Sequence, residues 1–496
     1  MSQPNFLVIC MDQISAFSLA CNGNKVVKTP NMDRLAAGGV NFTRAYCSNP
    51  VCMPNRASFI TGLTPRQHGL LTNGSFLPED VPTLGGALAA KGYRTHSVGK
   101  LHFQPYGPNQ LGDGRSSLEQ GSRWKSRELS ALPSPYYGFQ TSDWTGGHVN
   151  GINGHYMQWL EDHHPEVVDK WRRENAYHHS GNEIYRLEVP AELHYNHWIA
   201  DRSIDFLQKE GANPFFLFCS FPDPHHPFAA TRPYSEMYNP DEMELPATYQ
   251  NDEDLIAFLK AYRPFFGNKA PEEAVMREII AQTYGMITHV DDNIGRILVR
   301  LEALGLGENT HVILTADHGE YLGNHDLIHK AAYPYESLYR IPLIWKAPGG
   351  SVTDCPVPAS TVDFVPTVCE LAGVDTTYFT ARGFGESEKL SLPGQSLLPA
   401  LRGEPLSARP VLLEYDEDCH AGPLLRQRGL VEGPFKMVLY HGSEEGILVK
   451  VDSDPNELDN LWEHPEYQEV KDRMLLQLLR RLVATERFDN NRVCWA

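Results

Sequence analysis

The stretch Asn5-Phe6-Leu7-Val8-Ile9-Cys10-Met11-Asp12-Gln13 decides the fold. Its apolar run has the length of a strand, and it stops on a carboxylate and an amide, polar groups delivered at a strand's C-terminal end. Working outward, Thr29-Pro30-Asn31-Met32-Asp33 predicts a helix with Thr29 as its cap and Pro30 at its first position. Residues 40–45 read as a second strand, 83–91 as a helix closed by Gly92, and 94–98 as a third strand. Strands alternating with helices imply a parallel α/β sheet covered on both faces. The alternation breaks over residues 104–190, rich in Gly, Ser, Trp, Tyr and His, which predicts an irregular insertion folded over a pocket. It resumes with a helix near 194–209, a strand at 215–220 and a long helix over about 273–304, in which Ile280, Tyr284, Ile287, Ile294 and Leu298 hold a helical stripe. Strands at 312–315 and 342–345 and a helix over 361–372 follow. Pro393-Gly394 and Gly403-Glu404-Pro405 then mark an exit. The expected division is a main domain over 1–405 and a C-terminal α+β subdomain over 406–496, with a small antiparallel sheet and a closing helix near 470–484.

Charge and cysteines narrow the function. The chain has 496 residues, with 43 Lys and Arg against 62 Asp and Glu, a net charge of −19. That field opposes nucleic acid and anionic membrane surfaces, so neither is expected as a partner, and an anionic ligand needs its own local cluster of cations. No apolar run approaches the ~20 residues of a membrane span. The nine cysteines are an odd number without a CxxC pair, which reads as reduced thiols. The N-terminus carries neither a basic n-region nor a small-residue cleavage site, and the two observations together predict a cytoplasmic protein. Walker A loops, GxGxxG, HExxH and GxSxG are all missing, which removes support for ATP, dinucleotide and serine-hydrolase chemistry.

Cys52-Met53-Pro54-Asn55-Arg56 places a thiol just before a Pro able to start a helix, at the positive end of its dipole, with Arg56 one turn further on. That suits a nucleophile for an anionic centre; spacing alone leaves an ordinary helix start with a buried Cys equally open. Cys-x-Pro-x-Arg followed by Thr61-Gly62 resembles the signature of the type I, formylglycine-dependent sulfatases of the alkaline-phosphatase-like superfamily. The segment from Thr29 to Leu35, Gly99-Lys100-Leu101-His102, Asp223-Pro224-His225-His226-Pro227, Ala316-Asp317-His318-Gly319-Glu320, Lys330 and the segment from Asp454 to Leu461 are similar to family segments in the family's order. The resemblance covers nearly the whole chain outside 104–190. It implies an alkaline-phosphatase-like fold, a large mixed, mostly parallel sheet sandwiched by helices, and an enzyme that hydrolyses a small-molecule sulfate monoester (aryl, sugar or small alkyl).

For the site, the resemblance implies one divalent cation held by Asp12, Gln13, Asp317, His318 and an oxygen of residue 52. The commonest family pattern uses more Asp and an Asn with Ca2+. Gln13 and His318 instead resemble the phosphonate monoester hydrolases and related arylsulfatases, and a nitrogen ligand favours Mn2+. Cys52 would be converted by a formylglycine-generating enzyme, and the metal-bound diol of that aldehyde would attack sulfur. Arg56 would hold the diol, Lys100 and Lys330 would neutralise the sulfate, and Asn73 would contact the transferred group. His225, preferred over His226 by alignment with Pro-His-x-Pro, would protonate the departing alkoxide, and His102 would take the proton whose loss expels sulfate. Lys100 and His102, on alternate positions after a strand, are expected to share one side of the chain. Trp144, His148, His155 and Tyr156 are the candidates for substrate recognition. Asp291-Asp292-Asn293 reads as capping or solvation rather than a second metal site. Two alternatives stand beside the sulfatase: a phosphonate monoester or phosphodiester hydrolase using the same nucleophile, and a non-catalytic sulfatase-like binding protein. Self-association, common among related cytoplasmic enzymes, is a further expectation.

Overall fold

A computed structural model of the chain describes residues 3–108, 114–174, 184, 187–251, 256–379, 392–418 and 424–486. Its centre is a nine-stranded sheet in the order Thr353–Cys355, Val40–Phe42, Leu343–Lys346, Thr310–Ala316, Asn5–Met11, Phe215–Phe221, Arg94–Gly99, Thr141–Gly146 and Asn153–Gly154. The five strands from Thr310–Ala316 to Thr141–Gly146 run parallel, while Leu343–Lys346 and Asn153–Gly154 lie antiparallel to their neighbours. This is the mixed, mostly parallel sheet that the resemblance implies, and its parallel centre is what the alternation predicts. The strands Asn5–Met11 and Phe215–Phe221 are buried at every position, because both faces of a central parallel strand are covered.

Register brings the strand ends to one level. Met11 pairs with both Ala316 and Phe221, and Gly99 pairs with Ser220. Four neighbouring parallel strands therefore finish side by side. Gly99 is required there: its φ is +92°, and a Cβ would meet the Ser220 carbonyl oxygen at 1.9 Å.

Three local expectations change. Residues 40–45 divide into Val40–Phe42 of the large sheet and Ala45–Tyr46, which pairs with Arg340–Ile341 and Ala359–Ser360 in a separate small sheet. Thr29 does not cap the helix Pro30–Ala37 with its side chain. The buried Asp291 does so instead, accepting from the amides of Asn31 (3.1 Å) and Met32 (2.8 Å), which is the capping expected of Asp291-Asp292-Asn293. The stretch 104–190 is more regular than predicted, since it adds the parallel strand Thr141–Gly146 and the helices Gly121–Lys125, His155–His163 and Pro165–Glu174. Its aromatic residues are there to pack: Trp144 and Trp124 are 4.8 Å apart and buried. Residues 109–113, 175–183, 185 and 186 of that stretch lie outside the described residues.

The C-terminal region is a four-stranded antiparallel sheet, Val411–Asp418, Leu424–Glu432, Phe435–Tyr440 and Gly446–Lys450, against which the helix Gln468–Ala484 packs Met474 and Leu478. A buried ion cluster joins it to the short helix Glu336–Tyr339. Lys436 reaches Glu336 at 3.0 Å and pairs with Glu457, which in turn accepts from the Glu336 amide at 2.6 Å. No helix of the described residues is long and apolar enough to cross a membrane. The described cysteines are all free thiols.

Candidate active site

The four aligned strand ends supply most of the site. Asp12 and Gln13 follow Asn5–Met11, Lys100 and His102 follow Arg94–Gly99, His225 follows Phe215–Phe221, and Asp317 and His318 follow Thr310–Ala316. This is the carboxyl edge of an open α/β sheet, where such sites form. Cys52 is the first residue of the helix Cys52–Thr61, which aims residue 52 at that edge. Arg56, one turn along, ties the edge together: Nε donates to Asp317 (2.8 Å), Nη2 to Asp12 (3.2 Å), and Nη1 to the Lys100 carbonyl (3.0 Å) and Ser220 Oγ (2.8 Å). Every one of these side chains is buried.

The donor set fits a divalent cation. Ligand atoms of Asp12, Cys52, Asp317 and His318 lie within 4.8 Å of one another. His318 donates from Nδ1 to the Gly319 carbonyl (2.9 Å), which leaves the lone pair of Nε2 facing Cys52 Sγ at 3.2 Å. Gln13 Nε2 is held by His226 (2.8 Å) and Glu320, which turns Oε1 inward. A cation already sits among these groups: the Lys330 ammonium is 3.1 Å from Gln13 Oε1, 3.0 Å from Cys52 Sγ and 3.1 Å from His318 Nε2. Three oxygen ligands and one imidazole form a harder set than a thiolate site and a softer one than an all-oxygen site.

The same charges shift the thiol and imidazoles among them. Burial and Asp12 push the Cys52 thiol up, but Lys100, Lys330 and His318 together bring it down to about 7. Burial and then Lys100 hold His102 well below the usual imidazole range, which favours its neutral form. Burial, His148 and His226 do the same to His225. His225 Nε2 accepts from the Lys330 ammonium at 2.9 Å, so the pair shares one transferable proton.

The expected catalytic and metal residues thus meet in one cluster. Lys100 pairs with Asp12 and lies 2.6 Å from His148 Nε2, whose ring stacks on His225 at 3.6 Å. His148 is therefore part of the cluster. Asn73 is at its edge, where it accepts from the Met53 amide at 3.0 Å. The alternate-position argument for Lys100 and His102 does not describe their geometry, because His102 has φ +63° and the chain turns there instead of staying extended. Trp144, His155 and Tyr156 are not brought to the cluster. Trp144 packs on Trp124, His155 accepts from the Trp144 amide (2.8 Å), and Tyr156 donates to the Leu193 carbonyl (2.9 Å).

Sequence reasoning missed several residues that shape the site. Asn55 bonds the Asp317 carbonyl, Ser220 receives Arg56, and Glu320 orients Gln13. Asn55 and Glu320 lie inside motifs already singled out, so their positions were signals. Asp223, beside His225, binds Tyr195 Oη and Asn196 Nδ2, and nothing in its spacing announces those partners.

The chain is similar to known proteins along nearly its whole length. The family description Sulfatase matches residues 4–374. The "Uncharacterized sulfatase YidJ" of Escherichia coli (strain K12) is 29% identical over 485 residues, covering 96% of this chain and 86% of that protein. An arylsulfatase of Clostridium perfringens (strain 13 / Type A) is 27% identical over 502 residues, covering 98% and 95%. Among solved structures, a phosphonate monoester hydrolase of Agrobacterium radiobacter superposes with a TM-score of 0.80 at 25% identity, covering 97% of this chain and 96% of that chain.

Proposed function

The chain belongs to the sulfatase family and is a sulfatase, and from that premise we propose that it cleaves a small sulfate monoester at residue 52, after a formylglycine-generating enzyme has oxidised Cys52. The observation that carries this reading is the placement of Lys100 and Lys330 around residue 52, with Arg56 one turn along its helix, in a protein whose net charge is −19. A cation cluster built against the global field is what an anionic substrate needs.

A divalent cation held by Asp12, Gln13, Asp317 and His318 would supply further positive charge, and formylglycine would supply, as its hydrate, a nucleophile whose second hydroxyl can expel sulfate once it loses its proton. The chain's own groups do the rest. Lys100 and Lys330 offset the charge on the sulfate oxygens. Arg56 fixes Asp12 and Asp317 so that the strand ends do not spread. The departing oxygen takes its proton through His225 Nε2, replenished from Lys330. His102, held neutral by burial, accepts the proton whose removal lets sulfate leave. The free thiols fit a reducing compartment, and a cytoplasmic enzyme of this kind would act on small imported esters.

Incubation with an aryl sulfate tests the reading. Wild-type enzyme releases phenol and inorganic sulfate in equal amounts over many turnovers, and Cys52→Ala releases neither. Sustained release by Cys52→Ala would overturn it. A second reading, a phosphonate monoester hydrolase, is favoured by the Gln13 and His318 ligand types and by the hydrolase of that activity found among the structural neighbours. Lys100 and His102 favour the sulfatase.

A further inference from the structure

The geometry points to Glu119, in the stretch outside the recognised motifs, as the positioning residue that sets His102 for sulfate release; this rests on the sulfatase reading above. Glu119 is fully buried, and its carboxylate takes four hydrogen bonds. Oε2 accepts from the His102 amide at 2.8 Å. Oε1 accepts from the amides of Phe103 (2.9 Å) and Gln104 (3.3 Å) and from Tyr136 Oη (2.8 Å). Three consecutive backbone N–H groups converging on one carboxylate form an anion nest with the anion built in. The chain needs that anchor at this point, because His102 has φ +63°, a conformation a non-glycine residue keeps only when its surroundings impose it.

The ring of His102 is held less directly. Its Nδ1 is buried with no hydrogen-bond partner among the described residues, and one face stacks on Tyr106 at 3.9 Å. Orientation of the imidazole therefore comes from the backbone bond to Glu119 and the Tyr106 stack. Only a carboxylate can serve all four donors. A glutamine amide could keep the three bonds to Oε1, but it would set an NH2 group against the His102 amide, donor against donor. Glu119→Gln thus removes the His102 bond while sparing the other three.

The test compares wild type, Glu119→Gln and His102→Ala with an aryl sulfate, under rapid mixing. Wild type turns over steadily. His102→Ala and Glu119→Gln both give one burst of phenol, then slow release, and the acid-quenched chain retains the mass of one sulfate. We expect a steady-state loss of roughly 10²-fold for Glu119→Gln, the scale of a misplacement near 1 Å, with KM little changed. The double variant loses no more than His102→Ala alone, because one group acts through the other. Hydrogen exchange of the peptide spanning 100–104 reads the clamp without chemistry and should accelerate in Glu119→Gln. Should that variant fail to fold, Glu119→Asp, which withdraws the charge by one methylene, is measured in its place. Wild-type turnover by the variant, or equal loss of burst and steady state, would overturn the role of Glu119. Absence of any wild-type turnover would instead overturn the sulfatase reading and leave the exchange measurement to judge the clamp.

Discussion

The cluster around Cys52 and the cluster around Lys436 are both buried and both built from acids and bases, yet they are closed in different ways. At Lys436 one ammonium lies between Glu336 and Glu457, and the remaining carboxylate oxygens are taken by Tyr46 Oη at 3.0 Å and the Glu336 amide at 2.6 Å. Nothing there is left for a ligand. Around Cys52, Arg56 already bridges Asp12 and Asp317, and Lys100, Lys330 and three imidazoles crowd in beyond it. Surplus cations facing one thiol are the signature of a binding centre, whereas a saturated triad at the join of two sheets is a structural clasp.

The comparison breaks if perturbing the centre unfolds the protein or perturbing the clasp stops the chemistry. The largest effect is expected for Cys52→Ala, with a loss of turnover on the order of 10⁶-fold. Its unfolding free energy in urea should stay within about 1 kcal/mol of wild type. Lys436→Met should do the reverse. Leaving Glu336 and Glu457 buried without their cation costs about 3–5 kcal/mol, measured by urea unfolding, while kcat of the folded enzyme stays near wild type. A Lys436→Met enzyme that is stable but inactive would place the clasp in the mechanism.

Smaller effects sharpen the contrast. Tyr46→Phe deletes one hydrogen bond to a charged group in the clasp and should cost roughly 1.5–3 kcal/mol, again without loss of kcat. A third region belongs to neither cluster. His311, which accepts from Trp345 Nε1 at 3.1 Å, is pushed by burial down to about 4. Its folded-state pKa lies below the unfolded value, so the stability it contributes is present above pH 6.5 and is lost as pH falls toward 4. His311→Gln should flatten the fall of unfolding free energy in that window by at most about 1.4 kcal/mol per pH unit. An unchanged slope would show that His311 is protonated in the folded state.

What could be read from sequence follows how local the information is. Asp12, Lys100, Asp317 and their neighbours sit one or two residues past segments that read as strands, so a strand prediction carries them to the sheet edge together. Cys52 and Arg56 share one helix, and their spacing survives folding unchanged. Glu119 is one of 62 acidic residues, and its role exists only because the chain returns to the 102–104 amides. Trp144, His155 and Tyr156 misled in the opposite sense. An aromatic-rich stretch has the same composition whether it walls a pocket or packs a strand, and here Trp144 lies inside Thr141–Gly146 against Trp124. Thr29 had the residue type of a cap, but Asp291, far along the chain, took the position.

The most direct test of the sulfatase assignment is the ratio of kcat/KM for an aryl sulfate to that for the matching aryl phosphonate monoester. It should be measured on one metal-saturated preparation whose residue 52 is shown by mass to be formylglycine. On the proposed reading, in which Lys100 and His102 serve the sulfate group, the ratio is well above one. A ratio well below one would contradict the account, and the Gln13 and His318 ligands would then identify a phosphonate monoester hydrolase.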